Sequence, residues 1–130
     1  MQQEEKDITL RWKIDKDIEL YRFYLDISVK AATFLMGATG AIASYVLLGK
    51  NTEIVSKALA FPVLMNAGFA VLFFYSIREA KRIAHLHKEA CEELGIPEFN
   101  MNPLRSVCQI FCFMFIIATA GLFLLMIYYL

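Results

Sequence analysis

His85, His87, Cys91 and Glu92 fall within eight residues, and His87 and Cys91 stand four apart, on one face if the stretch is helical. Two adjacent ligands can begin a metal site. A tetrahedral ion needs three or four, however, and His85 points to a different face of the same helix. No metal and no cofactor are expected, and His87 and Cys91 read as members of an apolar packing stripe. Arg78, Lys81, Arg82, His85 and Lys88 follow one another at spacings of three, one, three and three, which gathers them on one broad helical face. Such a face meets anionic lipid headgroups at ~1 kcal/mol per cation. If several copies converge on a symmetry axis, it meets an anionic ligand such as a nucleotide instead.

Phosphate-cradling Gly loops, nucleophile elbows, HExxH motifs and paired CxxC motifs are all missing from the chain. Its long apolar runs carry no ionisable group of the kind that proton-coupled transport and intramembrane proteolysis use at depth. An enzyme is not expected, nor is binding of duplex nucleic acid. The informative polar residue is Asn66, near the middle of an apolar run, where an unpaired amide is costly. With the hydroxyls of Thr39 and Thr119 it makes up the intramembrane polar set. A hydrogen bond between helices of one subunit and a ring of Asn side chains lining an oligomeric pore are both open.

These residues must be positioned by helices. Of the 130 residues 58 % are hydrophobic, above the ~45–50 % of soluble domains. The excess sits in three runs free of Asp, Glu, Lys and Arg, at residues 31–48, 59–77 and 107–130. Each is close to or above the ~17–20 residues that cross a bilayer as a helix. The expectation is a single all-α integral membrane domain over 1–130. It comprises a cytoplasmic N-terminal segment (1–30), three spans, and a cytoplasmic helix and loop (78–106). Lys and Arg set the orientation. Lys6, Arg11, Lys13, Lys16, Arg22, Lys30, Arg78, Lys81, Arg82, Lys88 and Arg105 lie on one side, and only Lys50 and Lys57 on the other. The N-terminus is therefore expected in the cytoplasm, with Asn51 and the C-terminus outside the inner (cytoplasmic) membrane. Tyr128 and Tyr129 would join the outer aromatic belt, and Cys91, Cys108 and Cys112, near the cytoplasmic boundary, are expected as free thiols.

Gly49 is expected to cap the first helix, Thr52 and Glu53 to open the second, Gly95 and Pro97 to end it, and Asn102-Pro103 to start the third. Ile14, Ile18, Tyr21 and Leu25 form a heptad-like stripe, matched by Ile77, Ala80, Ala84, His87, Cys91 and Leu94. Helix one, over 15–48, and helix two, over 53–94, thus continue past the membrane as an antiparallel cytoplasmic stalk. Residues 8–14 (ITLRWKI) alternate apolar and polar instead. A short strand that pairs with a partner and a helix start or interfacial segment anchored by Trp12 are both open. Pro62 is expected to bend span two, with Gly68 further inward, either for packing or at a gate. Span three, lacking a polar stripe beyond Gln109 and Thr119, is expected to face lipid. Thr33, Gly37, Gly40, Ala41 and Ser44 give span one a small-residue face suited to close helix approach and assembly.

This layout of three spans plus cytoplasmic helices, covering most of the chain, resembles the small multi-span membrane effectors of bacterial anti-phage defence, including the Hailong-type effectors. The resemblance implies a homo-oligomeric membrane channel or membrane-disrupting effector, gated through its cytoplasmic helices by a ligand or partner, an anionic nucleotide among them. The other class to weigh is a non-conducting accessory subunit of a larger membrane complex. Membrane lipids are partners in either case.

Overall fold

A charge-free run inside hydrocarbon has no water to satisfy its amides, so a single segment can cross only as a helix. The structure, a computed structural model, describes residues 1–49 and 52–130. It consists of α1 (Gln2–Leu47), α2 (Thr52–Leu94) and α3 (Asn102–Tyr128), and no strand occurs among the described residues. All three are long and apolar enough to cross a bilayer. Their 46, 43 and 27 residues correspond to about 69, 65 and 40 Å at ~1.5 Å per residue. The first two therefore overshoot a ~30 Å hydrocarbon core and form the expected stalk. They run antiparallel along their whole length: Val46 meets Val55 and Leu59 at the hairpin end. At the other end Lys6 Nζ lies 2.6 Å from Glu93 Oε1.

The strand alternative for residues 8–14 is not what forms. The helix starts at Gln2, with Glu4 and Glu5 in its first turn beside the positive end of its dipole. At helical spacing the alternating pattern sorts differently, since Leu10 and Ile14, four apart, turn inward onto Ala90, Cys91 and Leu94. Ile8 and Trp12 turn outward. A period of two and a spacing of four share every second step, and the long neighbouring helix decides between them.

Both stalk stripes are buried or half-buried, with Ile14, Tyr21, Ala80, His87 and Cys91 at their centres. The lipid-facing expectation for span three holds along Phe113, Ile116, Ile117, Phe123 and Leu124, which are exposed, but not all round the helix. α3 packs on α2 through Leu104, Cys108, Cys112 and Phe115, all buried. The Phe115 ring stacks on Phe73 at 5.7 Å and lies 6.0 Å from Phe69. Without a hydrophobic force between helices in lipid, shape and dispersion select the contact face, and a polar stripe is not required.

Two end signals also differ in detail. Leu48 caps α1 in a right-handed conformation (φ −78°, ψ −13°), and Gly49 follows it with its N–H on Val46 O. Gly49 is therefore not a left-handed cap. Lys50 and Asn51, part of the expected outer hairpin, and the side chain of Thr52 lie outside the described residues. At α2's other end Gly95 adopts φ +65°. Its N–H bonds Glu92 O while Ile96 N–H bonds Cys91 O, the double closure that a left-handed glycine permits. Met101, one residue earlier than expected, caps α3.

Candidate functional site

Asn66 is placed by the middle of α2 against α1, and 2 % of it is exposed. Its Nδ2 donates to Thr39 Oγ1 (2.9 Å) and to Pro62 O (2.7 Å). Both amide protons are thus used within one subunit. Pro62 leaves α2 unbroken, and its carbonyl accepts the side-chain bond. A cavity of ≈ 30 Å³ adjoins this pair, lined by Thr39, Ile42, Pro62, Met65, Asn66 and Phe115 among others. Thr119 does not join it through its hydroxyl, which donates to Phe115 O at 2.7 Å in its own helix.

The small-residue face of α1 turns away from this contact. Thr33, Gly37, Gly40, Ala41 and Ser44 are all exposed. A Cβ added at Gly37 or Gly40 would meet nothing within 4 Å. Asn66 therefore finds its partner at Thr39, on another side of α1, and the small face has no neighbour among the described residues.

In the stalk His87 is 1 % exposed. Its Nε2 accepts the Phe99 N–H at 2.9 Å, which puts the proton of the neutral ring on Nδ1. Nδ1 has no partner among the described residues. Cys91 Sγ lies 3.5 Å from Nε2. Burial, helped by Glu98, pushes the Cys91 thiol above its ordinary range. The Phe99 ring in turn contacts Tyr21 edge-on at 5.5 Å, and Arg22 sits 6.0 Å from its centroid. His87 thus ties the loop after Gly95 back onto the stalk, a role that composition and spacing do not reveal. Among the described residues no group of three metal-binding side chains forms, and His85 is exposed, 3.6 Å from Glu89.

The cations of the basic face, Arg78, Lys81, Arg82 and Lys88, are all exposed with His85. Arg82 is tied to Glu79 by bonds of 2.7 and 3.1 Å, so acids on the same helix offset part of the face. Arg82 also lines a cleft of ≈ 410 Å³ between the stalk halves of α1 and α2. Lys13, Asp17, Leu20, Tyr24 and Ser28 form one wall, Ser76, Glu79, Ala80, Arg82, Ile83 and Leu86 the other, and Leu104 and Cys108 of α3 complete it. The wall on α1 recurs every three or four residues, immediately beside the buried stripe. That pattern was visible in the sequence, but the gap it faces was not. Comparison of the chain with family models, with curated proteins and with solved structures gives no match.

Proposed function

We propose that this chain is the subunit of a homo-oligomeric membrane channel or membrane-disrupting effector, gated when a ligand or partner acts on its stalk. The supporting observation is the face of Gly37, Gly40, Ala41 and Ser44. It is exposed along a span in which such residues let backbones approach closely, and it has no neighbour among the described residues. A single three-helix subunit encloses no water-filled path, so conduction depends on copies meeting there. The stalk is continuous with the spans through α1 and α2, which gives a force on the stalk a rigid route to the membrane. In this reading the N-terminus and stalk are cytoplasmic, in the inner membrane, following the Lys and Arg asymmetry.

Mass measurement of the purified full-length chain in detergent, followed by planar-bilayer recording, tests the proposal. A closed ring that conducts supports it, and Gly37→Leu should reduce or abolish the ring. A ring that never conducts, with or without cell extract supplying ligands, refutes it. Asn51→Cys on a background lacking the three native thiols should label from outside intact cells. Labelling only after the membrane is broken would reverse the orientation. The accessory-subunit reading draws on one observation, the outward-facing Ile8 and Trp12 near the free end of the stalk, and predicts a monomer until a partner is co-expressed.

A further inference from the structure

The segment that joins α2 to α3 is held at one polar point. Gly95 and Ile96 close the end of α2 with their N–H groups on Glu92 O and Cys91 O. Beyond them, among the described residues, a single backbone N–H of residues 97–101 has a partner: that of Phe99, which donates to His87 Nε2 at 2.9 Å. His87 is 1 % exposed, and its Nδ1 meets no acceptor among the described residues. A ring whose Nε2 accepts is neutral and carries its proton on Nδ1. A second proton can therefore enter only at Nε2, the atom already in use. It would set two N–H groups head to head and leave a buried cation with no strong acceptor on either nitrogen. The nearest other group, Cys91 Sγ at 3.5 Å, accepts only weakly.

We propose that His87 is an acid-released latch, whose ring on taking a second proton frees residues 97–101 from the stalk. The charged and titratable groups around it come from three elements. Cys91 follows one turn later on α2. Asp17 of α1 and Glu98 of the loop are carboxylates whose charge reaches Cys91. Tyr21 of α1 touches the Phe99 ring, and Arg22 lies 6.0 Å from its centroid. Leu104, where α3 packs beside Tyr21, is uncharged. Asp17 and Glu98 favour a cation and Arg22 opposes it, but Glu98 and Arg22 are exposed and Asp17 is half-buried. Water screens all three. The Phe99 bond is short and shielded, so its loss decides the outcome. Release leaves Gly95 and Ile96 as the hinge and takes the α2–α3 connection off Tyr21 of α1. This inference does not depend on the chain conducting ions.

The closed segment accommodates only the neutral ring, whereas the open one exposes an imidazole that takes its proton at ~6.5, as in water. Closure is therefore complete well above that value and weakens as pH falls below it. The open fraction should rise about tenfold between pH 7.5 and 5.5, because one pH unit below ~6.5 multiplies the protonated open form by about ten. Amide hydrogen exchange of the full chain in lipid nanodiscs measures this on a peptide covering residues 97–101, after correction for the intrinsic pH dependence of exchange. His87→Gln offers a carbonyl oxygen near the place of Nε2 and does not titrate, so it should stay protected at both pH values. His85→Gln leaves His87 as the sole histidine and should keep the tenfold response. Nitrogen-15 NMR of that variant should show the proton on Nδ1 at pH 7.5. If His87→Gln does not fold, following the ring nitrogens of His85→Gln down to pH 5.5 carries the test, since protonation and exposure of the Phe99 amide must coincide. Protection independent of pH, a response that survives in His87→Gln, a proton on Nε2 at pH 7.5, or a doubly protonated ring beside a protected Phe99 amide would overturn the latch.

Discussion

Thr39→Val and Asn66→Leu remove opposite ends of one hydrogen bond, and the structure predicts that they will not cost the same. Asn66 is 2 % exposed and uses both amide protons, toward Thr39 Oγ1 and Pro62 O. Thr39→Val strands one of them in an apolar surrounding, a loss of about 1–3 kcal/mol in water-soluble proteins. Side-chain hydrogen bonds within bilayers couple more weakly, about 0.6 kcal/mol on average and up to ~1.7. The adjoining cavity of ≈ 30 Å³ is large enough for one water, which would partly satisfy the stranded proton. The expected cost of Thr39→Val is therefore about 1 kcal/mol. Asn66→Leu leaves no stranded donor, because the Thr39 hydroxyl can turn to a carbonyl of its own helix. Leu matches Asn in number of side-chain heavy atoms, its slightly bulkier methyls have the cavity to enter, and the cost falls to about 0.5 kcal/mol or less. With Asn66 gone Thr39→Val has nothing left to strand, so the double variant should match Asn66→Leu alone, giving a coupling of about 1 kcal/mol. Reversible unfolding in bicelles titrated with SDS measures all four proteins. If the single effects simply add to within ~0.3 kcal/mol, or if Asn66→Leu is the costlier change, the bond does not hold α1 to α2.

Phe115 is 0 % exposed between Phe73 and Phe69, so Phe115→Ala should cost about 2–3 kcal/mol in the same titration and Phe115→Leu roughly half. A neutral Phe115→Ala would count against the packing of α3 on α2. Gly95 holds φ +65°, so Gly95→Ala should cost about 1 kcal/mol and speed amide exchange in residues 95–101, with unchanged exchange counting against the loop closure. Burial raises the Cys91 thiol, so the folded chain holds that proton to higher pH than the unfolded chain does. Its contribution is complete below the ordinary thiol value of ~8.5 and is lost as pH rises through the raised folded value. Stability should thus fall as pH rises above the ordinary thiol value, less steeply in Cys91→Ala. Maleimide should modify the folded thiol more slowly than free cysteine. Equal slopes in the two proteins would contradict it.

Charge-free run lengths, helix caps and stripe spacings determine much of this protein before any contact is known. The three spans follow from the scarcity of backbone partners in hydrocarbon. The stalk follows from the alternating four- and three-residue spacings of Ile14, Ile18, Tyr21 and Leu25, and the stop at Gly95 from a glycine's access to positive φ. Each of these is a local property, or one repeated along a single helix. What residues on one helix meet on another is not local. Asn66 requires a partner by its own chemistry, yet that the partner is Thr39 rather than the small-residue face depends on the rotation of α1 about its axis. The helical state of residues 8–14 depends on Ala90, Cys91 and Leu94 lying opposite Leu10 and Ile14. The packing of α3 depends on aromatic shape, because in lipid all of its faces are equally apolar. The cleft at Lys13, Asp17, Glu79 and Arg82 lies between the contact of Ile14 with Ala90 and Cys91 and the bond of Thr39 to Asn66, and only the tertiary arrangement of three helices decides that.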